Sequence, residues 1–255
     1  MFLLIEFWAE LRRGFKSYIR YPLQAIGEII ALILAFAFVD NSQGGGSAGR
    51  AVGFAALFIA FIGLQAANKV VKDESDAGTL EQLYLACSSL PRVIFLRTLA
   101  DTLRLMPVLL GVLAITEPSI GSRLPSRIGP VVLLSLLMNV GMLGIGFILG
   151  AIALVFKRIG FLANLASIAL LPLALAPGDM PASGLAGDML EAIPFTQALS
   201  TFRALLGNSS GAWSRLVSSS GALLLVDSAI CFIIGLMVFR AAERMARDRG
   251  LIGKY

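Results

Sequence analysis

Long apolar runs alternate with short polar breaks along this chain. The apolar runs cover residues 23–39, 51–68, 93–116, 130–156, 161–176 and 216–239. Most are close to the roughly 20 residues that a helix needs to cross the hydrocarbon core of a bilayer. Because a backbone surrounded by lipid must satisfy its own hydrogen bonds, these runs predict transmembrane α-helices. We therefore expect an all-α integral membrane protein, with about six spans in a single transmembrane domain over residues 1–255.

Residues 1–21 predict an amphipathic helix that lies in the membrane interface. Apolar and aromatic residues recur at helical spacing, at Leu4, Trp8, Leu11, Phe15 and Tyr18. Charged residues occupy the opposite face, at Glu6, Glu10, Arg13 and Lys16. The rival interpretation is a signal peptide, which needs an uninterrupted apolar core. The charged positions interrupt such a core and favour the interfacial helix.

Composition and charge agree with a membrane location and set an orientation. The chain is 57% hydrophobic and only 15% charged, whereas soluble domains carry about 25% charged residues. Only five of the 21 lysines and arginines fall on one side of the predicted topology, at positions 50, 123, 127, 203 and 215. The positive-inside rule then places both termini in the cytoplasm. This distribution explains the net charge of +5 without nucleic acid, and basic residues near the surface favour membrane lipids as partners.

A charged island at residues 72–91 separates the second apolar run from the third. Lipid cannot solvate its carboxylates, so the island must lie in water. Thr79 and Gln82 have the spacing of a capping box at the start of a new helix. Gly78, just before that start, allows a sharp turn. The pattern predicts a short helix presented to the aqueous side, which suits a docking surface.

The same island resembles the coupling-helix region of type-2 ABC transporter permeases. The residues that carry the resemblance are Glu74, Asp76, Gly78, Thr79, Leu80, Glu81, Gln82 and Leu83, followed by Ser89-Leu90-Pro91. In that family the coupling helix follows the second span and fits into a groove of a cytoplasmic ABC ATPase. The resemblance implies a permease subunit of an exporter, in a multi-pass arrangement in the cell membrane.

Further implications of the resemblance concern partners and cofactors. Two ATPase copies would bind ATP and magnesium, and a second copy of this permease, or a homologous one, would complete the path. The chain itself would need no cofactor and have no catalytic or metal-binding residues. Residues 177–213, too polar and broken to span, would form the family's external or re-entrant segment. The substrate would be hydrophobic or amphipathic, such as a drug, a lipid or a lipid-linked glycan.

An enzymatic alternative rests on Asp73-x-x-Asp76-x-Gly78. This spacing is faintly similar to the acidic motif of CDP-alcohol phosphatidyltransferases, which are membrane-embedded lipid-modifying enzymes. Those enzymes need further aspartates to hold divalent metal, and no acidic residue follows Glu81 before Asp101. The chain also contains no histidine, which excludes histidine-based catalysis and metal ligation.

Four residues within the apolar runs are candidates for a substrate path or gate. Glu28 and Asp227 place carboxylates in or near lipid, where charged groups usually face a protein interior or a water-filled path. Gly146 and Gly150 have the spacing that lets two helices approach closely. The alternatives are structural: a carboxylate at the interface or hydrogen-bonded between helices, and glycines that serve packing alone.

Overall fold

The fold is built from helices. The computed structural model describes residues 2–20, 22–41, 47–76, 78, 89–116, 118–122, 124–156, 160–176, 193–207 and 219–248. Within these ranges every regular element is helical, which confirms the all-α fold class. In chain order the helices are α1 (Phe2–Arg20), α2 (Pro22–Asn41), α3 (Ser47–Asp76), α4 (Leu90–Thr116), α5 (Pro118–Gly121), α6 (Ile128–Phe156), α7 (Gly160–Ala169), α8 (Leu171–Leu175), α9 (Pro194–Gly207) and α10 (Ser219–Asp248), with a 3-10 turn at Leu124–Ser126.

Four of these helices are long and apolar enough to cross a membrane. The qualifying stretches are Ala48–Glu74 in α3, Leu90–Ile115 in α4, Ile128–Leu154 in α6 and Gly221–Ala246 in α10. Each has 26 or 27 residues, a length of about 40 Å at the rise of an α-helix. The chain is therefore a multi-pass membrane protein. The apolar helix Phe161–Leu175 is shorter, and the count of six spans stays a prediction.

Helix α6 occupies the centre of the bundle, between α3 and α10. Glycines bring the backbones close on both sides. A Cβ on Gly146 would stand 2.5 Å from the carbonyl oxygen of Gly63 in α3, and a Cβ on Gly144 would collide with the backbone of Cys231 in α10. In a bilayer, helices associate through such close packing because lipid is as apolar as the side chains.

The outermost of the long helices is α10. Only 22% of its most apolar window is buried inside the protein, against 67% for α3. Its open face carries large apolar side chains, including Leu223, Val226, Ile230, Ile233, Ile234 and Met237. Such a surface suits contact with lipid tails, whereas two thirds of the most apolar window of α3 is packed inside the protein.

The fifth apolar run is broken into two helices. Leu170 forms a turn between α7 and α8, and its N–H donates to the carbonyl of Ser167 at 3.2 Å. Pro172 follows in the first turn of α8, and proline has no N–H with which to continue the hydrogen-bond pattern of α7. The backbone of Leu170 keeps right-handed helical dihedrals, so the apolar run forms two consecutive helices separated by a single turn residue.

Two expected boundaries differ from the structure. Helix α3 continues past the apolar run that ends at 68 and reaches Asp76, so the start of the charged island belongs to the end of α3. Lys72 and Glu74 in its polar last turns favour helix formation, so the helix continues past the end of the apolar run. The polar break between the first two apolar runs, residues 40–50, is also shorter than expected, because α3 already begins at Ser47.

Candidate functional site

The end of α3 and the start of α4 are tied to α1 by charged side chains, which we call the α1–α4 charge cluster: Glu6, Glu10, Glu74, Arg92 and Arg97. Arg92 pairs with Glu6 at 2.8 Å. Arg97 lies between two carboxylates, at 3.3 Å from Glu74 and 3.7 Å from Glu10. Because Arg97 contacts residues of both α1 and α3, one guanidinium joins three helices.

The cluster is partly shielded from water. The side chains of Arg97, Glu74 and Glu10 are 22%, 19% and 23% exposed, and those of Arg92 and Glu6 are 32% and 48% exposed. Attraction between opposite charges strengthens as the surrounding dielectric falls. The charges around Arg97 are therefore less screened by water than those of the more exposed Arg92–Glu6 pair.

This cluster flanks the predicted coupling segment. Glu74 and Asp76 lie in the last turn of α3. Gly78 has a φ of 66°, in the left-handed region that favours glycine. Apart from its chain neighbours, no described residue has an atom within 4 Å of the position that a Cβ would take. The other coupling candidates, Thr79, Leu80, Glu81, Gln82 and Leu83, lie outside the described residues.

Asp227 meets a partner on another helix. The side-chain amide of Gln197, near the start of α9, donates a hydrogen bond to the Asp227 carboxylate of α10. This contact corresponds to the structural alternative for Asp227, a carboxylate hydrogen-bonded between helices. The side chain of Glu28, the other candidate carboxylate, lies outside the described part of α2.

Helix α9 enters the bundle beside α6. In the first turn of α9, Pro194 lies beside Gly141 of α6, where a Cβ on Gly141 would stand 2.7 Å from the proline. Gly141 lies about 20 Å from the start of α6 along the helix axis. At the last turn of α9, Arg127, just before α6, donates to the carbonyl of Leu205. The α9 axis thus runs alongside the half of α6 that begins at Ile128.

Arg127 and Arg203, which the sequence analysis placed on the outer side, stabilise the position of α9 through hydrogen bonds to backbone carbonyls. Arg203 of α9 donates to the carbonyl oxygens of Ala174 at 3.0 Å, Ala176 at 2.7 Å and Gly49 at 3.3 Å. Arg127 is buried. Sequence reasoning missed both roles because an arginine bonded to backbone carbonyls leaves no side-chain pattern to detect.

The two candidate gate glycines both face α3. Gly146 approaches the carbonyls of Gly63 and Leu64, and a Cβ on Gly150 would stand 2.6 Å from the Cβ of Ala67. The structure therefore assigns both positions to close packing between α6 and α3. A moving gate at the same contact stays a prediction.

A polar trio between α3 and α7 was not singled out from the sequence. The side-chain amide of Gln65 donates to Asn164 at 3.0 Å and to Ser167 at 2.9 Å. Ser167 is buried, Gln65 is half-buried and Asn164 is exposed. The sequence did contain a signal for this contact: Gln65, Asn164 and Ser167 are polar residues within otherwise apolar runs. Two apolar helices that pack side by side can bring such residues together.

The geometry defines an all-helical, multi-pass membrane protein with charged contacts at one end of its long helices. A scan against protein-family models matches residues 5–207 to the ABC-2 type transporter family. The chain belongs to that family, which makes it a transmembrane component of an ABC transporter. No curated protein and no solved structure gave a match.

Family membership confirms the resemblance noted from the coupling segment. It identifies the chain as a permease-type transport protein of the membrane, a class that typically works with an ABC ATPase. No finding supports the lipid-modifying enzyme that the sequence left open.

Proposed function

We propose that the chain is the membrane-spanning subunit of an ATP-driven exporter, with six spans and both termini in the cytoplasm. The spans would be α2, α3, α4, α6, α7 together with α8, and α10. The match of residues 5–207 to the ABC-2 type transporter family supports the class. The unequal distribution of its 21 lysines and arginines supports the orientation in the cell membrane.

Coupling to the ATPase is the step that the described residues address most directly. Residues 77–89 connect α3 to α4 and would dock into the ATPase. Arg97 contacts Glu74 on α3 and Glu10 on α1. A displacement of the docked segment would therefore move α1, α3 and α4 together rather than bend one helix end. This three-helix contact is the observation that carries the proposal.

The assembly would contain two permease subunits and two ATPases. The ATPases would bind and hydrolyse ATP with magnesium, and the permease pair would enclose a path for a hydrophobic or amphipathic substrate. The glycines between α3 and α6 would let these helices shift as a packed pair, since small residues allow close sliding contact.

Purification of the native complex tests this function. The full chain is isolated from its own membranes, the copurifying proteins are identified, and ATP hydrolysis is measured with and without them. We expect no hydrolysis by the chain alone, and hydrolysis by a complex of two permease and two ATPase subunits.

An Arg97→Glu variant tests the role of the charge cluster in the same preparation. Its control is Arg104→Glu, because Arg104 pairs with Asp101 in its own helix at 3.1 Å. We expect the Arg97 variant to keep the ATPase but lose transport driven by hydrolysis. An active complex with one permease chain and no second permease would contradict the proposal.

A further inference from the structure

One face of α3 is open over the part of the helix from Phe58 towards Asp76, whereas residues 50–57 are buried. Its open positions include half-buried Phe58, Phe61 and Gln65 and exposed Lys69 and Lys72. Ile62 is also half-buried, and the carboxylate Asp73 is also exposed at the lysine end. At about 100° per residue, the first five lie within roughly 80° of the helix circumference and extend over about 21 Å. They form a single strip, which we call the α3 strip, beside α7.

The middle of this strip is polar at a depth where lipid is expected. Gln65 donates to Asn164 and Ser167 of α7, and Asn164 remains exposed. Exposed amides are unfavourable against lipid tails because no hydrogen-bond partner is available there. Polar groups within membrane spans almost always face a protein interior or a water-filled cavity. The α3 strip therefore faces a path or cleft and not the bulk lipid.

The two ends of the strip differ in chemistry. The rings of Phe58 and Phe61 are in contact, with centroids 6.3 Å apart. The ring of Phe58 also contacts that of Phe54, with centroids 5.0 Å apart. At the other end, Lys69 and Lys72 are exposed. The strip thus runs from aromatic rings through amides to two cations.

The lysines differ from the arginines nearby. Arg92 and Arg97 are bound to carboxylates of the charge cluster, whereas no described residue forms an ion pair with Lys69 or Lys72. Their charges are directed to solvent at the end of α3 that bears Glu74. Two cations in line with an apolar strip complement a ligand with an anionic head and an apolar tail.

We propose that the α3 strip binds an anionic amphiphile, a lipid whose head group carries a phosphate. Lys69 and Lys72 would hold the phosphate, the amides of Gln65 and Asn164 would bind its polar linkage, and the phenylalanines would line the tail. This rests on the proposed function, because the strip would be the start of the transport path, and it narrows the substrate class to lipids with a negatively charged head.

Photolabelling of the full chain in nanodiscs tests the assignment. Nanodiscs of phosphatidylcholine receive a trace of phosphatidic acid with a diazirine in its acyl chain, or the matching phosphatidylcholine probe. Labelled peptides are mapped by mass spectrometry. We expect the phosphatidic acid probe to label peptides within 51–76 and 160–176 in preference to the phosphatidylcholine probe.

Substitution of the lysines separates charge recognition from general lipid contact. The variant K69Q/K72Q should reduce the preference for phosphatidic acid about tenfold, since each cation near anionic lipid contributes appreciably to attraction. K69R/K72R should retain it. The matched control is K16Q/R20Q, which removes two exposed cations from α1 and should leave labelling of the strip unchanged.

Three results would overturn the inference. Equal labelling by both probes would mean that the strip accepts neutral lipid. Absence of labelling from the strip would mean that a second copy of the chain covers it. An equal loss in K69Q/K72Q and K16Q/R20Q would mean that overall charge attracts the probe. The experiment contains no ATPase, so these results are independent of the hydrolysis assay that tests the proposed function.

Discussion

Gly146 of α6 and Gly63 of α3 face each other so closely that a Cβ on Gly146 would stand 2.5 Å from the Gly63 carbonyl oxygen. Real Cβ atoms essentially never approach an oxygen so closely. The atom in the way belongs to the backbone, so a rotamer change cannot relieve the clash. The α3–α6 contact therefore depends on the absence of a side chain at this position.

We expect Gly146→Ala to destabilise the protein by about 1–3 kcal/mol, the usual cost of overpacking, and to lower its melting temperature in detergent. Gly111→Ala is the matched control, because no described atom other than its neighbouring helix backbone lies within 4 Å of its Cβ position. An alanine there should be neutral or stabilising, since glycine disfavours helix interiors. Equal melting temperatures for wild type and the Gly146 variant would contradict the packing argument.

Gly78→Val should impair coupling while leaving insertion intact. The left-handed backbone at Gly78 costs a side-chain-bearing residue roughly 1–2 kcal/mol, and the surrounding space is open, so the effect would be conformational. Gly78→Asn is the control, because asparagine tolerates this region. Transport per ATP hydrolysed should fall for valine and persist for asparagine. A valine variant with normal transport would argue against a required turn at Gly78.

Glu81→Arg addresses the docking surface itself. The resemblance to coupling helices assigns Glu81 to the face that meets the ATPase, so a reversed charge should weaken association or uncouple hydrolysis from transport. Copurification of the ATPase and transport into vesicles are the measurements. Unchanged behaviour in both would refute the docking role of residues 72–91.

Asp227 should act through its hydrogen bond rather than its charge. Asp227→Asn keeps an acceptor oxygen for the Gln197 amide, so we expect near-normal stability and transport. Asp227→Leu removes the acceptor and should cost about 1 kcal/mol, as interhelical hydrogen bonds in membranes do. Thermal unfolding and transport assays distinguish the two. Loss of transport in the asparagine variant at normal stability would instead indicate a role for the negative charge.

The orientation predicts which positions react with a membrane-impermeant thiol reagent applied to whole cells. In a background without Cys87 and Cys231, single cysteines at 45 and 208 should react, and cysteines at 75 and 250 should not. The expectation follows from the unequal distribution of the 21 basic residues. The reverse pattern of labelling would invert the proposed topology.

The sequence predicted the four long helices α3, α4, α6 and α10, because span formation depends on local hydrophobicity. The apolar run 130–156 became α6 with only its first residues shifted, and the Gly78 turn appeared where glycine allowed it. It predicted the end of α3 less well, because Lys72 and Glu74 are polar yet helix-forming. Hydropathy predicts where the membrane-embedded part of a helix ends, but it does not predict where the helix itself ends, and α3 continues to Asp76.

What the sequence determined by itself was the order of the four long apolar helices and the family, since apolar length and the coupling motif are properties of contiguous residues. The partners of individual side chains were decided by tertiary structure alone. Helix α6 is apolar apart from Ser135 and Asn139, and Asn139 donates to the carbonyl oxygen of Ile59 in α3. Its glycines lie on several sides of the helix, however, so the sequence does not encode which glycine meets α3 and which meets α10. Only backbone fit selects Gly146 for one contact and Gly144 for the other. Likewise Arg97 reaches Glu74 and Glu10 because three helices converge there, a proximity that no local pattern specifies.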